Sequence, residues 1–141
     1  MSALVGLTLP SFVDDPEIPI RVAKAAETAG LDGVFVFDHL WRGDPPNRRP
    51  ALECFSLLGA VAAETTRIQV GTLVARATLR PAAMLANCFA TVQRVSGGRL
   101  IAAIGSGDSH SRAENEAFGL EFGTMDDRIM ALHDAVRAAK H

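Results

Sequence analysis

Two short polar groups stand directly behind apolar runs, and their residue types suit proton transfer. Asp38-His39 follows the run 33–37, and Gly105-Ser106-Gly107-Asp108 follows the run 100–104. A histidine titrates near neutrality and moves a proton in either direction. His39 is therefore the leading catalytic candidate, with Asp38 beside it to orient a partner group or accept a hydrogen bond. The structural alternative for the pair is a capping Asp and a surface His. Asp108 sits in a glycine loop rich in backbone N–H groups. It reads as a second acid or base, a cofactor contact, or the cap of the helix that follows. Trp41, the one tryptophan of the chain, stands two positions after the pair and either stacks on a flat ring or closes the mouth of the fold. Glu114 and Glu116 carry the plainer reading of helix capping and solvent exposure. No metal site is expected, because His110, His133 and His141 lack ligand spacing and Cys54 and Cys88 stand alone.

These groups need elements that bring them to one place. The runs 4–9, 33–37, 68–73 and 100–105 read as strands rich in Val, Leu, Ile and Phe on both faces, as in buried parallel sheets. Between them, helical spacing recurs. Ile20, Ala23, Ala26 and Ala29 form one stripe, which Gly30 ends, and Leu52, Phe55, Leu58 and Ala62 form a second. Leu85, Cys88, Val92 and Val95 form a third stripe within 81–95. A short helical segment is expected at 114–118. A last helix opens on a capping box at Thr124-Met125-Asp126-Asp127 and carries Ile129, Leu132 and Val136. Strand and helix alternate four times with no hairpin signal, which predicts an α/β fold with parallel β/α repeats. A long loop with Gly43, Pro45, Pro46 and Pro50 follows the second strand, in the manner of binding loops.

In parallel sheets, chemistry gathers at the carboxyl ends of the strands. Those ends carry Thr8, Asp38-His39, Thr72, and Ser106 with Asp108, so four strands agree in presenting polar groups there. Length alone favours a small doubly wound sheet over a (β/α)8 barrel, which takes roughly 250 residues. However, neither the dinucleotide glycine fingerprint nor a phosphate loop ending in Gly-Lys-Ser/Thr occurs in the 141 residues.

The chain resembles the bacterial-luciferase-like flavin and deazaflavin oxidoreductases. The matching pieces are Ala26-Glu27-Thr28-Ala29-Gly30, Phe35-Val36-Phe37-Asp38-His39, and Thr66-Arg67-Ile68-Gln69-Val70-Gly71-Thr72. Leu79-Arg80-Pro81-Ala82, Leu85-Ala86, Ser96-Gly97-Gly98-Arg99 and the Gly-Ser-Gly-Asp loop continue them. The resemblance implies one half-barrel domain over 1–141, the amino-terminal half of a (β/α)8 barrel. It implies F420 as cofactor, with FMN as the alternative, bound at the carboxyl mouth. The Gly-x-Gly-Asp loop with Asn115-Glu116 further on is similar to the F420 users of the family.

On this resemblance His39 and Asp108 flank the reacting centre. The cofactor meets Asp38, Thr72, Leu73, Val74, Gly105, Ser106, Gly107 and Asn115. Leu73-Val74 stands where the family has a cis peptide forming a bulge behind the deazaflavin. The implied activity is hydride transfer with a small organic substrate. The alternatives are an oxygen-using FMN monooxygenase and an inactive truncated barrel that serves as an interaction module. A half barrel leaves two open sheet edges and an apolar inner face, so the expected partner is a second copy or a complementary half-barrel chain.

The net charge of −2 and the scattered arginines argue against nucleic acid. No apolar run approaches the roughly 20 residues that span a bilayer, and no signal peptide is legible at the start. The cytoplasm is the expected compartment.

Overall fold

The computed structural model describes residues 3–43 and 46–140. Met1, Ser2, Pro45 and His141 of the sequence reading lie outside the described residues, as does Asp44. In chain order the elements are β1 (Gly6–Thr8), α1 (Glu17–Thr28), β2 (Gly33–Val36), β3 (Trp41–Arg42), β4 (Arg49–Pro50) and α2 (Cys54–Glu64). Next come β5 (Gln69–Thr72), β6 (Ala75–Arg76), α3 (Ala82–Val95), β7 (Leu100–Ile101), β8 (Ile104–Gly105), α4 (Ser111–Ala117) and α5 (Met125–Ala139). The helix boundaries follow from local chemistry. Asp15 accepts the Glu17 N–H at 2.9 Å, Glu53 accepts the Ser56 N–H at 2.7 Å, and the Thr124–Asp127 capping box forms as expected. Gly30, at φ +85°, adopts the left-handed turn that ends α1.

The sheet order is β1-β2-β5-β7, and every pairing in it is parallel. A doubly wound sheet reverses its order at a switch point, whereas here the order only advances. The helices likewise pack in succession, α1 on α2, α2 on α3 and α3 on α5. This is the winding of half a (β/α)8 barrel, so the doubly wound alternative falls.

The expected strand 100–105 is split in two. β7 pairs with β5, and β8 pairs with β6 in parallel. Between them the Thr72 hydroxyl donates to the Ala103 carbonyl at 2.6 Å and accepts the Ala103 N–H at 3.1 Å, stitching the interrupted strand to its neighbour. The peptide bond between Leu73 and Val74, where β5 gives way to β6, is cis, as the resemblance implied.

Three other expectations need correction. The long loop does carry a short antiparallel ladder, β3 with β4. The inner face of the sheet is thinner than the expected rows of Val, Leu, Ile and Phe. Val34, Val36 and Val70 are buried beneath the helices, but the inner side is formed by the Phe35 ring lying across glycines. A Cβ on Gly6 would meet that ring at 2.6 Å and one on Gly71 at 2.9 Å, so only glycine leaves room for it. Finally, the apolar stripe of α5 turns outward in part: Leu132 packs against the core as expected, but its two companions do not. Ile129 and Val136 are exposed, while Arg128 and Ala135 are buried, because small residues allow the close approach to α3. Val95 and Ala29 are also exposed, and Phe89 takes the buried place on α3.

Candidate active site

The carboxyl ends of β2, β6 and β8 converge on a row of charged side chains. Its centre is Asp38, only 3% exposed, directly after the β2 strand run. Arg80 Nη1 and Nη2 donate to the two Asp38 carboxylate oxygens at 2.7 and 2.9 Å, a bidentate pair. The Arg76 backbone N–H donates to Asp38 Oδ2 at 2.9 Å, and Arg76 Nε donates to the Asp38 carbonyl at 2.9 Å. On one side Arg80 Nη2 continues to Glu53 Oε1 at 2.7 Å, reaching the first turn of α2. On the other side Arg76 Nη2 stands 2.7 Å from Glu114 Oε2 as an ion pair, off the line of a hydrogen bond. Glu114 Oε1 and Oε2 then lie 3.0 and 3.2 Å from His39 Nδ1.

The signs therefore alternate along the row: Glu53, Arg80, Asp38, Arg76, Glu114, and finally His39. Burial opposes the Arg80 cation, but the hydrogen bonds and charge of Asp38, with those of Glu53, outweigh it and push the arginine's pKa up. Burial draws Arg76 down from its ordinary value against the opposing pull of Glu114 and Asp38. For Glu53, burial acts upward, while the Ser56 N–H and Arg80 carry the carboxyl below its usual range. A buried charge without such partners would cost several kcal/mol, which explains why each one here has two.

His39 is the member of the row that meets open space, its side chain 33% exposed. It lines a cavity of about 460 Å³ with Phe12, Phe37, Trp41, Arg48 and Glu114 among the other walls. Phe12 and Phe37 lie 6.4 and 6.5 Å from the His39 ring, centroid to centroid. Trp41 packs on Phe118 at 5.5 Å and under the Arg48 guanidinium at 4.2 Å. At the ends of β5 and β8, Leu73 and Val74 stand exposed. A Cβ on Gly105 would meet Val74 Cγ2 at 2.6 Å, so the glycine makes room for that bulge. The aromatic walls of the cavity suit a flat ring, and the apolar ledge stands at the end of β5, the strand next to β2.

The expected site residues fall into four groups. His39 lines the cavity. Leu73, Val74, Gly105, Ser106 and Gly107 lie at or beyond the same strand ends, and Gly107 turns at φ +78°. Asp38, Thr72 and Asn115 lie beneath the surface. Asn115 is fully buried, accepting from Arg76 Nη1 at 3.4 Å and donating to the Glu121 carbonyl at 3.1 Å. Asp108 is exposed and accepts the Ser111 N–H at 3.1 Å, the capping role weighed for it. Burial raises its pKa, but the Ser111 and His110 bonds outweigh that and hold it low. Sequence reasoning passed over Arg76, Arg80 and above all Glu114, which is buried and not exposed. The adjacent Glu114-Asn115 pair on a short helix was the available signal. No cluster of three metal-binding side chains occurs among the described residues.

The luciferase-like monooxygenase family model matches residues 7–141. The chain belongs to that family. Among curated relatives it is 34% identical over 125 residues to an F420-dependent glucose-6-phosphate dehydrogenase of Amycolatopsis mediterranei, covering 86% of this chain and 36% of that protein. Among solved structures it is similar to an F420-dependent secondary alcohol dehydrogenase in complex with an F420-acetone adduct. That match has a TM-score of 0.83 at 24% identity and covers 99% of this chain and 42% of the other. It is also similar to the oxygenating constituent of the Pseudomonas putida 3,6-diketocamphane monooxygenase in complex with FMN. There the TM-score is 0.77 at 16% identity, with 99% and 39% covered. This member of the luciferase-like family spans about a third of the length of the curated relatives it matches.

Proposed function

We propose that this chain supplies the amino-terminal half of an F420-dependent oxidoreductase site acting on a small organic substrate. The observation that carries the reading is His39, held from behind by Glu114 and opening onto an aromatic cavity at the carboxyl ends of the strands. The curated relatives named as F420-dependent support the choice of cofactor. Bound F420 supplies a two-electron hydride carrier, chemistry that no side chain of this protein offers. The exposed Leu73–Val74 ledge, with Gly105, Ser106 and Gly107 following on the next strand, would hold the flat ring. Thr72, Asp38 and Asn115 hold that ledge and its surroundings from below. His39 takes the hydroxyl proton of an alcohol substrate in the oxidising direction and returns it in the reducing direction. Asp108, at the mouth, is the second acid or base of this reading.

Titrating the chain with F420 and with FMN, followed by absorbance and fluorescence, tests the proposal. Saturable F420 binding that His39→Gln weakens is the expected result. Micromolar binding of FMN alone would instead favour the oxygen-using monooxygenase, and binding of neither would favour an interaction module.

The edge strands β1 and β7 leave one side of each backbone unpaired, with Leu4, Val5 and Ile101 exposed beside them. A complementary half barrel, which preserves the parallel order, is the partner this edge chemistry suits. Without that partner the isolated chain is expected to self-associate, and light scattering to show a mass above 15.0 kDa. A compact monomer that binds no apolar dye would refute the pairing. Among the described residues no helix is long and apolar enough to cross a membrane. Both cysteines are free, and burial pushes the Cys54 thiol up, so both suit the reducing cytoplasm.

A further inference from the structure

We propose that Glu114 is a positioning residue that fixes the tautomer of His39, placing the ring proton on Nδ1 and leaving Nε2 bare. Its role in turnover rests on the proton-transfer reading of His39, but the tautomer itself does not.

Both Glu114 oxygens lie within reach of Nδ1, at 3.0 and 3.2 Å. An ionised carboxylate only accepts hydrogen bonds, so Nδ1 must donate. In a neutral imidazole the other nitrogen then carries a lone pair. Among the described residues Nε2 has no hydrogen-bond partner, and His39 borders the cavity, so a substrate hydroxyl is the partner it suits. The ring is also packed against a stacked aromatic pair, Phe12 and Phe37, at 6.4 and 6.5 Å.

Glu114 cannot easily turn away. Its side chain is 5% exposed, and Arg76, 4% exposed, stands 2.7 Å from Oε2. Arg76 is in turn tied to Asp38 through Nε and to Asn115 through Nη1. Moving Glu114 would take a buried guanidinium's ionic partner away. Consecutive residues of one short helix therefore serve a single end. Asn115 secures Arg76, and Glu114 passes that order on to a histidine 75 residues earlier in the chain.

The direct test is long-range proton–nitrogen correlation NMR on the 15N-labelled chain, at a pH where the ring is neutral, with His39→Gln to assign the signals. The expected pattern is a protonated Nδ1 and a bare Nε2. Glu114→Gln sharpens the test. Arg76 needs an acceptor and would hold the amide oxygen, turning the –NH2 group toward Nδ1, so the tautomer is expected to invert. With F420 loaded, the same variant is expected to lose a factor of about 10² to 10⁴ in the alcohol-oxidation rate, the usual contribution of a positioned base. A wild-type ring protonated on Nε2 would overturn the proposal, even if Glu114→Gln fails to fold. An unchanged tautomer in a folded Glu114→Gln would do the same. Failure to bind F420 would count against the function and leave the tautomer result standing.

Discussion

The two ends of the parallel sheet use the same residue types for different work. At the amino end, charged side chains engage the backbone. Glu27, on the last turn of α1, accepts the N–H groups of Thr66, Arg67 and Ile68 at 2.6 to 3.0 Å. Arg99, just before β7, donates to the carbonyls of Ala62, Thr65 and Ile68 at 2.7 to 2.9 Å. Those carbonyls belong to the end of α2 and the turn behind it, where helical partners have run out. At the carboxyl end, by contrast, Glu53, Arg80, Asp38, Arg76 and Glu114 engage mainly one another, and the row finishes on a histidine facing a cavity. A charge bonded to backbone locks a chain path in place. A charge bonded to other charges fixes a side chain, which is what a site requires. In barrel folds chemistry gathers at the carboxyl face, where this row stands.

Breaking the carboxyl-end row is expected to have the largest effect on folding. Arg80→Met leaves Asp38 buried with one backbone donor to its carboxylate, and removal of one partner of a buried pair costs about 3–5 kcal/mol. Urea unfolding would measure it. Next comes Arg99→Met at the amino end, which strips the carbonyls of Ala62, Thr65, Ile68 and Ser96 of this donor and is expected to cost about 2–3 kcal/mol.

Glu27→Gln is milder, on the order of 1–2 kcal/mol, because the amide oxygen can still accept. Its signature lies in the pH dependence. The Ile68 N–H, with those of Arg67 and Thr66, holds the Glu27 carboxyl below its ordinary value. The stabilisation is thus complete above the unfolded carboxylate pKa, about 4.3, and is lost as the pH falls through the lower folded value. Unfolding followed between about pH 6 and pH 3 should show a loss of stability that Glu27→Gln flattens. The smallest effect on folding belongs to His39→Gln, expected within about 0.5 kcal/mol because the ring is partly exposed, the Gln amide can still donate to Glu114, and Arg76 stays beside that carboxylate.

How far the sequence spoke follows the range of the interactions. Strand runs such as 33–37 and the Thr124 capping box rest on local pattern, and they form where pattern places them. The motif pieces Ala26-Glu27-Thr28-Ala29-Gly30 and Ser96-Gly97-Gly98-Arg99 also proved informative, yet they carry the scaffold residues Glu27 and Arg99 and no site chemistry. Periodicity detected a stripe on α5 but could not say which side α3 would cover. Arg128 has its guanidinium 4.3 Å from the Phe122 ring and takes a buried place that a polarity rule gives to Ile129. The site row was the least legible part. His39 was visible because it follows a strand directly. Its partner Glu114 lies 75 residues away, and no spacing rule joins positions so far apart.

The division between the two ends is tested most directly by measuring two variants on two axes. Glu27→Gln and His39→Gln would each be examined for unfolding midpoint and for F420 affinity by fluorescence titration. The expected result is a crossed pattern, with Glu27→Gln lowering the midpoint and keeping wild-type affinity, and His39→Gln weakening F420 binding at an unchanged midpoint. If both variants lost stability and affinity together, or if His39→Gln bound F420 as tightly as the wild type, the assignment of scaffold to one end and site to the other would be contradicted.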